Sequence, residues 1–265
     1  KTAVAECRVH YDYGRIYRRR FEGEPARFDR SAGAWAEDLA DRMERIFPDR
    51  MDAATAVVGF LNGCLIFDGR VNQGAIYLFY AEAALHAQAT LWKLAFVFVC
   101  LAMAGHNRLM VHGAGIKRRR GGGGYLFLGG SGAGKSTIAA LSAGERVLSD
   151  DATLIEAGED GFRLHATPFT QTGIARERPK RWYRQQERLR RIVFLHQAAA
   201  TRMAPRERHY ALMELLTRHV HGYGLMEAAL KRRAFDLCHR LCRTVPAADL
   251  YFRRDRGFWA LVTEG

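Results

Sequence analysis

The chain is poor in cysteine and in acidic residues and has neither a long apolar run nor an internal repeat. Five cysteines, at 7, 64, 100, 238 and 242, are an odd number scattered over 265 residues. That pattern does not make a disulfide framework and reads as reduced thiols in a cytoplasmic protein. Cys238 and Cys242, four apart, could place two thiolates on one helical face, but zinc sites use tighter CxxC pairs, and two of them. They read instead as small apolar residues on a buried helical stripe. The most apolar stretch runs only from Leu94 to Ala104, where a membrane span needs about 20 residues. Residues 83–104 are therefore expected to form a long buried helix, neither a transmembrane segment nor a signal sequence.

The 28 Asp and Glu stand against 41 Lys and Arg, for a net charge of +13. Such an excess favours an anionic partner: a nucleotide, a phosphorylated metabolite, nucleic acid or an acidic peptide. With 48% hydrophobic residues, a chain of this length forms one large domain or two closely packed ones, and its core is large enough to need no disulfide or structural metal. Disorder and a mini-protein scaffold are excluded.

Strand-like runs dominate the first hundred residues. Arg8 to Phe21 is rich in β-branched and aromatic residues, and Trp35 to Phe47 has apolar residues at helical spacing. Thr55 to Phe67 reads as a hairpin turning at Asn62-Gly63, and Gln73 to Tyr80 continues the β pattern. Together they predict an α+β portion over 1–105 that presents substrate surface or extends the core of a second portion, 106–265.

That second portion opens with a strand from Arg108 to Gly115, a KRRRGGGG run from 117 to 124, and a strand from Tyr125 to Leu128. Lying between two strands, the run reads as a flexible, solvated hairpin tip. From Arg146 to His165 the pattern is strand, turn, strand. Residues 176–191 hold eight Arg or Lys, two acids, Trp182 and Tyr183, a mix that can bind nucleic acid but reads better as a mobile basic loop or exposed helix beside an active site. A short buried strand over Ile192 to Leu195, amphipathic helices near 206–220 and 225–243, and a strand at Leu250 to Arg253 complete the reading.

Three features carry chemistry. Gly129-Gly130-Ser131-Gly132-Ala133-Gly134-Lys135-Ser136-Thr137 is a full GxxxxGK[ST] phosphate loop between a strand and a helix-forming run. Its small residues let backbone N–H groups wrap phosphates, Lys135 reaches the β and γ oxygens, and Ser136 can ligate Mg²⁺. Next, Arg146 to Ser149 is a short strand ending in Asp150 and Asp151. A strand leaving the phosphate-loop helix is expected to return beside the loop strand, with one carboxylate free to hold Mg²⁺ and its neighbour to accept a proton from an attacking hydroxyl. Third, His112 precedes Gly113 on the strand before the loop; alone it reads as a hydrogen-bonded core histidine.

These elements, His112-Gly113, GGSGAGKST and Leu148-Ser149-Asp150-Asp151, together resemble the HPr kinase/phosphorylase family, whose nucleotide fold is shared with ATP-dependent phosphoenolpyruvate carboxykinase. The segment Leu164 to Phe169 is similar to that following the aspartate hairpin in relatives outside sugar regulation. The resemblance covers roughly 108–170. It implies an α/β P-loop kinase domain in which Lys135 and the loop amides hold ATP, Ser136 and Asp151 share Mg²⁺, and Asp150 is the base. His112 would support the transferred phosphate, and homo-oligomers occur in the family. Lys-Ser-Thr stands where sugar-regulating HPr kinases have Lys-Ser-Glu, and no phosphorolysis signature follows the aspartates, which argues against HPr as acceptor and against the reverse reaction.

The expected activity is Mg²⁺-dependent transfer of the ATP γ-phosphoryl group to a hydroxyl, on a serine of a protein or peptide or on a small metabolite, either of them acidic if the basic run faces the site. Nucleic acid is disfavoured as partner. An ABC-like ATPase is disfavoured too: no LSGGQ-like sequence occurs, and Ile192 to Leu195 runs into His196-Gln197 rather than Asp-Glu. A nucleotide-dependent regulator would keep Lys135 and Ser136 without requiring Asp150.

Overall fold

The computed structural model describes residues 6–10, 55–60, 63–78, 84–119, 121–169 and 184–263. The chain is a mixed α/β protein whose backbone groups into two compact units, Lys1–His106 with Gly224–Arg232, and Asn107–Tyr223 with Arg233–Gly265.

In the first unit, strands β1 (Glu6–His10), β2 (Thr55–Phe60), β3 (Gly63–Asp68) and β4 (Gln73–Leu78) form one sheet in the order β1-β4-β3-β2. Phe60 pairs with Gly63 across antiparallel β2 and β3, the register expected of a tight hairpin. The helix expected at 35–47 and most of the strand expected at 8–21 lie outside the described residues. Helix α1 (Ala84–Ala104) packs on this sheet, with the Phe98 ring edge-on to Phe67 at 5.8 Å. Leu94, Cys100, Leu101 and Ala102 are buried, but Trp92 is 62% exposed, so the helix is buried along one stripe rather than all round. No helix among the described residues is long and apolar enough to cross a membrane.

The second unit is built on β5 (Arg108–Lys117) and β6 (Gly124–Leu128), an antiparallel pair. Every residue of β6 is buried, as its unbroken apolar sequence requires of a strand covered on both faces. Helix α2 (Lys135–Leu141) follows, then β7 (Arg146–Ser149), β8 (Ala152–Gly158), β9 (Gly161–His165), β10 (Gln186–Gln197) and β11 (Arg202–Pro205). Helix α3 (Arg208–Glu214) runs into a wider turn at Leu215–His219, and α4 (Ala228–Thr244), β12 (Ala247–Phe252) and α5 (Phe258–Thr263) complete the chain. The strand order is β11-β12-β10-β6-β5-β8-β9, with β7 beside β5 and β9 also pairing β10. One face packs Phe127, Val193 and Leu250 against Ile138 of α2 and Phe258 and Trp259 of α5.

Two expectations are corrected. Strand β7 returns beside β5, not beside the loop strand β6, because the β5–β6 hairpin already occupies that edge of β6. The basic run is not all loop or helix: from Gln186 it is the start of the 12-residue β10, while 176–183 lies outside the described residues. The KRRRGGGG segment is the expected hairpin tip between β5 and β6, exposed at Arg119, Gly121 and Gly122, and its base is pinned. Arg118 donates to Glu145 Oε1 at 2.7 Å and lies over the Trp259 ring at 4.6 Å, and the Arg119 amide donates to Glu145 Oε2 at 2.6 Å. Cys238 and Cys242 are buried on α4, and desolvation pushes both thiols above their ordinary value, Cys242 to about 11.

Candidate functional site

Strand β5 changes partners along its length. Arg108–His112 pairs with β8, and Gly113–Lys117 with β6. Strands β7 and β8 follow one another along the outer edge of β5, and the bend between them is Asp150-Asp151. The Gly113 amide donates to the Asp151 carbonyl at 2.8 Å, tying the bend to the point where β5 switches partners. Gly113 must be glycine here, because a Cβ would lie 2.6 Å from Leu128 Cδ2 and 2.9 Å from the Phe127 carbonyl oxygen. Thr153 Oγ1 donates to the Gly113 carbonyl, Thr167 Oγ1 to the Ala152 carbonyl and Ser149 Oγ to the Phe169 carbonyl. The segment Leu164 to Phe169 therefore braces the aspartate bend from behind.

The phosphate loop leaves the C-terminal end of β6, and β6, β10 and β12 are parallel. Ligands gather at such carboxyl ends. Gly132 and Gly134 have φ of 78° and 106°, in the left-handed region that favours glycine, and a Cβ on Gly129 would lie 2.6 Å from Ala133 Cβ. The Lys135 ammonium donates to the carbonyls of Gly129 and Gly130 at 2.7 and 3.0 Å. Gln197, from the end of β10, donates to the Gly132 carbonyl at 2.5 Å.

A cavity of about 290 Å³ is lined by Ser131, Gly132 and Gly134 to Thr137 of the loop, together with His112, Asp150, Asp151, Gln197 and Arg254. It unites the expected lysine, serine, histidine and both aspartates. Gly129, Gly130 and Ala133 shape the loop without lining the cavity. His112 Nδ1 lies 3.1 Å from Asp151 Oδ1. That hydrogen bond holds the Asp151 carboxyl below the usual carboxylate range; burial opposes the shift, while the charges of His112, His221 and Lys135 reinforce it. Burial lowers the Lys135 ammonium from its ordinary value, and the Asp151 carboxylate partly restores it.

Sequence reasoning missed His219 and His221. The His219 ring stacks on His112 at 6.5 Å and 19°, and His221 meets it edge-on at 5.5 Å. His219 Nδ1 donates to the His112 carbonyl at 3.1 Å, and burial keeps this imidazole below its ordinary value. Beyond it, Glu214 lies 3.6 Å from His219 Nε2 and is held by Arg206, which also binds Asp249. The only sequence trace of this arrangement is His219-Val220-His221 itself, whose middle residue bridges to Val111.

Among the described residues no three His, Cys, Asp or Glu side chains gather to hold a metal on their own. Mg²⁺ needs no such cage, since it is held by one or two protein oxygens plus phosphate oxygens. The Ser136 hydroxyl and the Asp151 carboxylate, lining one cavity with the phosphate loop, are a donor set of that kind.

A family model described as the SynChlorMet cassette protein ScmC matches residues 85–263. No curated protein matches the chain. The match corrects the resemblance to the HPr kinase/phosphorylase family: that resemblance rested on three short motifs around one phosphate loop, whereas the ScmC match spans the whole second unit from β5 to α5.

Proposed function

The chain belongs to the ScmC family, and we propose that it is an ATP-dependent phosphotransferase that moves the γ-phosphoryl group onto a hydroxyl, that of a serine in a protein or peptide. The observation that carries this reading is the single cavity lined by Lys135, Ser136, Asp150, Asp151 and His112. A nucleotide-dependent regulator without catalysis has no need of a second carboxylate beside the loop.

In this reading the loop amides and Lys135 bind the phosphates, and Lys135 exchanges the Gly129 and Gly130 carbonyls for phosphate oxygens. Ser136 and Asp151 would hold Mg²⁺, which would supply charge neutralisation on the transferred group. Asp150 takes the proton of the acceptor hydroxyl as its oxygen bonds to the γ-phosphorus and the bond to the β–γ bridging oxygen breaks. His112, fixed by Asp151, borders the transferred group and leaves Nε2 as its remaining polar atom. Catalysis is positioning and charge stabilisation in a cavity partly withdrawn from water.

The test is incubation with Mg²⁺ and γ-labelled ATP in a source-cell extract separated into macromolecular and small-molecule fractions. Label should enter the macromolecular fraction with the wild type. Asp150→Asn should bind ADP as well as the wild type yet transfer about 100-fold or more slowly, the usual weight of a general base. Transfer by Asp150→Asn near the wild-type rate would remove it as the base. Label in a small molecule would exclude the serine acceptor, and ADP release without any labelled acceptor would exclude phosphotransfer.

A further inference from the structure

A second cavity, of about 330 Å³, adjoins the first and shares Gly134, Thr137, Gln197 and Arg254 with it. The two differ in chemistry. His112, Asp150 and Asp151 line only the first, whereas Phe252, Arg253 and Ala198 line only the second, which has no acidic side chain. The second cavity lies where β12 ends, and Phe252 is packed so closely on the phosphate loop that a Cβ on Gly134 would lie 2.6 Å from its Cζ.

The two arginines after β12 are held differently. Arg253 Nε lies 2.5 Å from Asp255 Oδ2, and Asp255 Oδ1 accepts from the Gly257 amide at 2.8 Å. A local turn thus pairs Arg253 with a carboxylate at the surface. Arg254 has no carboxylate partner among the described residues, and it lines both cavities.

A nucleotide whose terminal phosphate faces Asp150 and Asp151 must extend its other end past Thr137 and Arg254. We propose that the second cavity receives the nucleoside end and that Arg254, at the junction, pairs with the inner phosphates. This rests on the phosphotransferase reading and adds to it the direction in which the nucleotide lies and a phosphate-binding residue remote from the loop motif. A guanidinium suits the task because it presents several N–H donors in a fixed fork.

The experiment is calorimetric titration of the full chain, wild type, Arg254→Ala, Arg254→Lys and Arg256→Ala, with Mg·ADP and with adenosine. Arg254→Ala should weaken ADP about tenfold or more, the effect of losing a charge-assisted contact, and Arg254→Lys should restore part of it. Arg256→Ala should stay within about threefold of the wild type, since Arg256 is exposed and lines neither cavity. Adenosine, which carries no phosphate, should bind all four proteins alike. Wild-type affinity for ADP in Arg254→Ala, or an equal loss in Arg256→Ala, would overturn the assignment while leaving the phosphotransferase reading intact. Failure of the wild type to bind ADP at all would overturn both.

Discussion

Strand β6 carries a glycine-rich basic segment at each end: Lys117-Arg118-Arg119-Arg120 and four glycines lead into it, and the loop from Gly129 to Lys135 leads out. By composition either could bind phosphate. In the first, Lys117 lies 2.6 Å from Glu187 and Arg118 2.7 Å from Glu145, with Trp259 beneath the Arg118 guanidinium. Its positive φ glycines, Gly121 to Gly123, serve only to turn the chain back. In the second, the sole cation is Lys135, held by carbonyls of its own loop and facing a cavity that contains two carboxylates. Glycine and charge are common to both ends. What separates them is that Lys117 and Arg118 are already paired, whereas Lys135 faces a cavity at the carboxyl end of the parallel strands.

Breaking the lysine of one segment and the arginine of the other gives the sharpest contrast. Lys135→Ala should lower phosphotransfer by about 100-fold or more and weaken ADP, since it removes the group that meets charge developing on the transferred phosphoryl. Arg118→Ala should leave turnover unchanged and lower stability by roughly 1 to 3 kcal/mol, the weight of a part-buried hydrogen bond between charged groups. Denaturant melts and initial rates on both variants check the pair. Loss of turnover in Arg118→Ala at unchanged stability would contradict the division.

A smaller effect tests the histidine cluster behind the loop. Burial holds His219 below its ordinary value of 6.5, so the unfolded chain takes up the proton more readily than the folded one. Above 6.5 neither state carries it and His219 adds no pH dependence. As pH falls from 6.5 towards the depressed folded value, protonation favours unfolding and stability drops. His219→Phe should therefore shrink, without abolishing, the fall in Tm between about pH 7.5 and about pH 5.5. His165, depressed chiefly by burial beside Glu156 and Arg108, keeps its share. An unchanged fall in Tm would show that His219 is charged, or exposed, in the folded chain.

The portion of this site that could be read from sequence is its contiguous portion. GGSGAGKST, the Asp150-Asp151 pair and His112-Gly113 each announce themselves within a few residues, because loop and strand-end chemistry is written locally. The strand beside which β7 returns could not be read, since it depends on the β5–β6 hairpin having taken the nearer edge. His219 and His221 were invisible for a related reason: Val220 bridges to Val111, and only that pairing across the chain brings the imidazoles to His112. Gln197 and Arg254 likewise reach the cavity only because β10 and β12 run parallel to β6 and end beside it. The arginines of 186–191 looked like loop because charge dominates the run. Alternation hid a strand there, with Leu189 and Arg191 buried and Arg188 and Arg190 exposed.

The most direct test of the difference between the two ends of β6 is a titration of isotopically labelled protein with Mg·ADP, following backbone amide shifts. The account predicts changes at Gly130 to Thr137, at Asp150 and Asp151 and at Arg253 and Arg254, with Gly121 to Gly124 unmoved. Shifts concentrated at Gly121 to Gly124, with the Gly130 to Thr137 amides unmoved, would contradict it.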